Sequence, residues 1–163
     1  GLRLNLAPAL LKGDKLADVV RPATELGVQA FYPLITARAD VKVLSPNRLA
    51  RLTRITQEAS RQSGRTVVPE VHSAMWFTEA DLPGNVLVAQ PGAAQTVFEV
   101  AKQLGTNSEI TVVTGPEGGL TEAEVAFLET ERSAIAVSLG DTILRAETAP
   151  VAIASALKLW AVS

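Results

Sequence analysis

The sequence predicts an α/β fold: a mostly parallel sheet flanked by helices. Three observations predict it. Short apolar runs alternate with amphipathic segments along the whole chain. The amphipathic segments start and stop on residues that cap helices. The apolar runs of the C-terminal half leave through turns rich in glycine and proline.

Taken in order, Leu2 to Leu6 alternates apolar and polar residues and reads as a strand. Asp14 to Leu26 is amphipathic, with Leu16, Val19, Val20, Ala23 and Leu26 on one side, and Gly27 is a natural stop. Ala30 to Ile35 reads as a strand, and Val41 to Leu44 as a further short extended piece. Ser45 caps a helix with Pro46 in its first position, running to about Ser63 and stopping at Gly64. Val67 to Val71 reads as a strand, and residues 73–84 as irregular or weakly helical. Val86 to Ala89 is a buried strand ended by Gln90-Pro91-Gly92; Thr96 to Leu104 is helical, with Gly105 after it. Ile110 to Thr114 is the next strand, and Thr121-x-x-Glu124 is a capping box opening the following helix. Ala134 to Leu139 is the last strand. Thr148 to Trp160 is the last helix, with Pro150 tolerated in its first turn.

At 163 residues the chain has room for one domain with a proper core, and 47% hydrophobic with 20% charged residues is an ordinary globular balance. The absence of cysteine excludes disulfides, thiolate catalysis and cysteine-ligated metals, and a lone His72 cannot build a metal site, so no metal is expected. No apolar stretch is long enough to span a bilayer, so the expectation is a soluble, cytoplasmic protein with no membrane partner. The net charge of −2 by itself argues against nucleic acid. Its distribution argues the other way. Residues 36–65 hold seven arginine and lysine residues against two acidic ones; residues 99–147 hold three against nine.

The most telling stretch is Thr114-Gly115-Pro116-Glu117-Gly118-Gly119, between an apolar run and the capping box. Glycine lets a ligand approach bare backbone there. A plain helix-entry turn explains this loop alone equally well. It is neither G-x-G-x-x-G nor a Walker cradle, and no G-x-S-x-G elbow occurs, so dinucleotide, nucleotide-phosphate and acyl-transfer chemistry are disfavoured. The loop gains weight jointly with two other strand exits, Ala89-Gln90-Pro91-Gly92 and Leu139-Gly140, because parallel sheets bind ligands beyond the carboxyl ends of their strands.

Val113 to Gly119, Ser138-Leu139-Gly140 and Ile143-Leu144-Arg145-Ala146-Glu147-Thr148-Ala149 together resemble the signature of the RsmE family of 16S ribosomal RNA uridine-N3 methyltransferases. Leu11-Lys12-Gly13-Asp14-Lys15, Ala23 to Val28, and Gln62-Ser63-Gly64-Arg65-x-x-x-Pro69-Glu70-Val71 resemble the same family, so the resemblance covers essentially the whole chain. It implies a SPOUT domain over residues 1–163 whose C-terminal segment threads a trefoil knot, S-adenosylmethionine as methyl donor, and a homodimer whose interface completes the site. It also implies 16S rRNA or the small ribosomal subunit as substrate. The cofactor pocket it implies comprises Val88, Ala89, Gly115, Glu117, Gly118, Leu139, Gly140, Ile143, Leu144, Arg145 and Ala146. Two departures stand out. This chain has no room for the PUA-like RNA-binding domain with which relatives usually begin. Asp141-Thr142 also stands where relatives often carry proline or a basic residue. A non-catalytic RNA- or ribosome-binding module of the same fold, or a SPOUT enzyme for another RNA, are the alternatives.

Arg48, Arg51, Arg54, Arg61 and Arg65 recur near the helical repeat and form a stripe suited to phosphate oxygens, with Arg38 upstream; a solvated helix face is the ordinary explanation. Arg145 is the candidate for stabilising the anion that develops on uridine when N3 loses its proton, against an ordinary role as a salt-bridge partner of Glu147 or Glu117. Glu117 is a weak candidate for the general base and otherwise caps a helix or faces the cofactor's ammonium group. His72 reads as a surface or edge residue and Trp160 as packing in the core or a dimer interface.

Overall fold

The computed structural model describes residues 1–163. Nine strands and five helices follow one another along the chain: β1 (Arg3–Pro8), α1 (Lys15–Glu25), β2 (Ala30–Phe31), β3 (Leu34–Ile35), α2 (Pro46–Gln62), β4 (Glu70–Val71), β5 (Met75–Trp76), β6 (Asn85–Ala89), β7 (Gln95–Thr96), α3 (Val97–Leu104), β8 (Glu109–Thr114), α4 (Glu122–Glu131), β9 (Ile135–Ser138) and α5 (Thr148–Val162). Seven strands form one sheet in the order β4-β2-β1-β8-β6-β9-β7, and every pairing in it is parallel. The α/β class read from the sequence is therefore the class observed.

Helices cover both faces. Leu4, Leu6, Phe31, Leu87, Ile110, Val112 and Val137 face a core shared with α1, α2, α3 and α5. Ala7, Val86, Val88 and Val113 face a smaller core with α4 and with Ala80 and Leu82 of the preceding segment. This two-sided cover makes the central strands almost wholly apolar. Asn5, polar in an otherwise apolar β1, is 2% exposed and donates to the Thr111 hydroxyl (3.3 Å) and the Glu109 carboxylate (3.2 Å).

Three sequence readings change. The run Ala30 to Ile35 divides at Pro33, which lacks the N–H a ladder needs; β2 stays in the main sheet, while β3 pairs with β5 in a separate two-stranded sheet. Residues 73–84 thus contain a strand. Val41 to Leu44 forms no strand; Lys42 turns its ammonium back onto the carbonyls of Thr36 and Ala37 instead. The strand read over Val67 to Val71 contracts to Glu70–Val71, leaving Val67 and Val68 exposed.

The first half of the chain extends the sheet from β1 through β2 to β4. The second half builds β8, β6, β9 and β7 on the opposite side. The direction of winding reverses beside β1, and a crevice opens beyond the carboxyl ends of the strands at such a reversal.

Candidate active site

Three strand exits meet in this crevice. β8 leaves its buried run at Thr114 and enters a turn closed by the Gly119 N–H on the Pro116 carbonyl (2.9 Å). A Cβ on Gly115 would lie 3.1 Å from the Leu120 nitrogen, so the turn closes tightly only around a bare backbone. The capping box then forms as read: Thr121 Oγ1 accepts from Glu124 N–H (3.0 Å), and Glu124 Oε1 accepts from Thr121 N–H (2.8 Å). β6 exits through Gln90, whose N–H bonds the Val137 carbonyl (2.9 Å), and β9 exits through Gly140 at φ +93°.

The exits surround a cavity of about 580 Å³, a size ordinary for small-molecule sites. Of the residues the resemblance assigns to a cofactor pocket, Ala89, Gly115, Glu117, Leu139, Gly140, Ile143, Leu144, Arg145 and Ala146 line this cavity. Two residues of that set do not. Val88 is fully buried, its side chain locked in the core under α4, and Gly118 sits against Arg38 outside the wall. Alternation explains Val88: neighbours on a strand face opposite ways, so it and Ala89 cannot both face the crevice.

Several lining groups went unread as pocket residues. Lys15, the first residue of α1, enters because β1 ends beside β8; the only local signal was the stretch Leu11 to Lys15. Arg38, read as an RNA contact, also reaches the cavity, and its guanidinium donates to the Gly118 carbonyl (3.3 Å). Thr114 lines the floor, and its hydroxyl has no hydrogen-bond partner in the chain.

The Glu117 carboxylate accepts from the Lys12 N–H (2.9 Å) and lies 3.5 Å from the Lys15 ammonium. Burial pushes its carboxyl upward, but the main-chain N–H groups of Lys12 and Glu117 and the Lys15 charge outweigh this and hold it below the ordinary range. The group therefore stays ionised at neutral pH and is a poor proton acceptor. Arg145 lies on the cavity wall, exposed, and pairs with neither Glu147 nor Glu117; the lysine, not the arginine, takes Glu117.

The arginine stripe divides. Arg51 forms a bidentate pair with Asp14 (2.9 Å for the longer contact) and holds that carboxyl below its usual range; Arg48 donates to the Gly13 carbonyl. Both join α2 to the start of α1. Arg65 packs at Gly27, where an added Cβ would sit 2.8 Å from its Nη1. Arg54 and Arg61 stay exposed with no partner in the chain. His72 stacks on Tyr32 (ring centroids 4.3 Å apart) at the β4 edge, outside this cavity.

A family model described as an RNA methyltransferase domain matches residues 1–158. This chain belongs to that RNA methyltransferase family. It is similar to the ribosomal RNA small subunit methyltransferase E of Bacillus subtilis (strain 168), 37% identical over 96% of this chain and 65% of that relative. The protein of the same name from Rickettsia conorii is 32% identical over 96% and 64%. This RNA methyltransferase domain thus spans just under two thirds of those relatives. Among solved structures, the ribosomal RNA small subunit methyltransferase E of Neisseria gonorrhoeae, bound to S-adenosylmethionine, superposes with a TM-score of 0.87 at 33% identity, covering 98% of this chain and 66% of that one. A SpoU methyltransferase from Streptomyces viridochromogenes, at 16% identity and a TM-score of 0.56 over 99% and 60% of the two chains, shares the fold.

Proposed function

We propose that this chain is the catalytic domain of an S-adenosylmethionine-dependent methyltransferase for N3 of a uridine in 16S ribosomal RNA. The observation that carries the reading is the convergence of three glycine-bearing strand exits on one cavity in a chain of this family. The residues fit the donor. Ala89, Leu139, Leu144 and Ala146 offer apolar surface, and the turns offer main-chain donors and acceptors. The unpartnered Thr114 hydroxyl has no other use within the chain, and Glu147, which no cation of the chain engages, offers a carboxylate to the charged end of the guest. Relatives solved with S-adenosylmethionine, from Neisseria gonorrhoeae and Legionella pneumophila, support the same reading.

When bound, the donor supplies an electrophilic methyl group on a sulfonium. The chain's own work is alignment and charge. The turns hold the donor so that the nucleophile approaches in line. Arg145 stabilises the anion as uridine N3 loses its proton. Glu117 acts as an anchor rather than a base, because its carboxylate is already engaged by Lys12 and Lys15; solvent hydroxide takes the proton. Arg38, at the cavity and held by the Gly118 carbonyl alone, and Arg54 and Arg61 beyond it carry no acidic partner and meet RNA phosphates. Leu159 and Val162, apolar side chains 70% and 83% exposed on α5, support a homodimer that covers them. The trefoil knot, cytoplasmic location and shared RNA affinity with a PUA-like domain belong to the same proposal.

Calorimetric titration of the chain with S-adenosylmethionine tests the reading. Saturable binding near one donor per chain is expected; absence of heat and of any thermal stabilisation overturns it and favours the non-catalytic RNA-binding alternative. A second expectation concerns RNA. Reversing Arg54 and Arg61 together to glutamate lowers the slope of log affinity against log salt by about 1 to 2, at roughly 0.7 per phosphate contact on single strands. An unchanged slope in a salt titration removes α2 from the RNA face.

A further inference from the structure

Glu124 uses its two carboxylate oxygens for different tasks. Oε1 completes the capping box of α4 by accepting from Thr121 N–H (2.8 Å). Oε2, which the helix does not need, accepts from the N–H of Ala37, 87 residues away in sequence (2.9 Å). The side chain is 3% exposed and pairs with no cation. Ala37 belongs to a strap, residues 36–42, lying against the glycine turn. Lys42 gathers the carbonyls of Thr36 and Ala37 from within the strap, and Asp40 pairs with Lys12 at its far end (2.7 Å). Between these ties Arg38 reaches the cavity and donates to Gly118.

We propose that Glu124 is a positioning residue that fixes this strap on the glycine turn so that Arg38 is presented at the cavity to receive a phosphate of the nucleic-acid substrate. The inference rests on the function proposed above and deepens it. One carboxylate thereby ties the turn that lines the donor cavity to the arginine that meets RNA. The chemistry requires a carboxylate. Both partners are main-chain donors, so both side-chain atoms must accept, and an amide offers one acceptor and one donor. Glu124→Gln keeps the shape and leaves one N–H facing an NH2 group.

The test is a double-mutant cycle on the full chain, with a fluorescein-labelled, uridine-containing single-stranded RNA as probe at low salt. Arg38→Ala is expected to weaken binding about tenfold, the usual scale for one charge-assisted contact, and to lower the salt slope by about 0.7. Glu124→Gln is expected to weaken RNA binding in the same way while leaving S-adenosylmethionine affinity within about twofold, and to add almost nothing once Arg38 is alanine. Thr121→Ala removes the cap hydroxyl but not the Ala37 bond, so RNA affinity is retained. Hydrogen exchange reads the strap without RNA: the Ala37 amide exchanges faster in Glu124→Gln and not in Thr121→Ala. Additive losses in the cycle, a Thr121→Ala defect equal to that of Glu124→Gln, or unchanged Ala37 exchange each overturn the positioning role. A wild-type chain that binds neither donor nor RNA overturns the functional reading and with it the presentation of Arg38 to RNA, and the Ala37 exchange then still decides separately whether Glu124 fixes the strap.

Discussion

On the proposed function, replacing Arg145 with alanine is expected to lower kcat for RNA methylation by about 100- to 1,000-fold, the scale for removing a group aimed at developing charge. S-adenosylmethionine affinity should change only a few-fold. The argument starts from what Arg145 does not do. It lies on the cavity wall, exposed, and no ion pair engages it, although Glu147 is its near neighbour in sequence and both Glu117 and Glu147 line the same space. Glu117 is taken by Lys15 and the Lys12 N–H. The arginine charge is therefore unspent in the resting chain. The uridine ring becomes anionic only as its N3 proton leaves, so a cation beside a ring carbonyl acts mainly on the transition state and appears in kcat rather than in donor affinity. Arg145→Lys should recover part of the loss, since a point charge replaces the planar fork. Single-turnover rates alongside calorimetric donor binding decide it. Equal losses in rate and donor affinity would move Arg145 from the reaction to cofactor binding.

Gly84→Ala is expected to be the most destabilising single methyl in the chain. Gly84 adopts φ +70° just before β6, and a Cβ there would lie 2.5 Å from the carbonyl oxygen and 2.8 Å from the carbonyl carbon of Glu109. Those atoms belong to the backbone at the start of β8, the strand that pairs with β6, and cannot swing aside as a side chain would. Overpacking of this kind costs about 1–3 kcal/mol, and the left-handed conformation about 1–2 kcal/mol more for alanine. For a domain of this size the sum corresponds to a fall in Tm of roughly 5–15 °C. Gly64 provides the control. Its φ is +72°, yet nothing lies within 4 Å of an added Cβ, so Gly64→Ala incurs only the conformational part. Thermal unfolding of the two variants separates the terms; equal shifts would show that β6 and β8 yield to accommodate the methyl.

How much of this was legible follows the range of the interactions involved. The glycine turn, the capping box at Thr121 and Glu124 and the helix of Pro46 to Gln62 are written in neighbouring residues, and they appear where the sequence put them. The capping box at Thr96 and Glu99 was equally available and marks the start of α3. The arginine stripe was legible as a helix face but not as a set of roles. That Arg51 is consumed by Asp14 and Arg65 by the space at Gly27, while Arg54 and Arg61 stay free, depends on how α2 lies against the rest of the chain. Val88 shows the same limit at the scale of one residue, because which of two strand neighbours meets the crevice is set by the sheet and not by their identity.

The sequence by itself determined the alternation of strands and helices, the three glycine-bearing exits and the family signature that joins them. Apolar periodicity, capping and backbone freedom are local properties, read within a few residues. Only the tertiary structure decided that β1 lies beside β8, and so that Lys15 lines the same cavity as Arg145. It alone decided that Glu117 is an anchored carboxylate and that Glu124 grips a strap 87 residues distant. Those outcomes depend on which strands pair and where a charge finds its partner, and such pairings are settled by the competition of the whole chain for burial and hydrogen bonds.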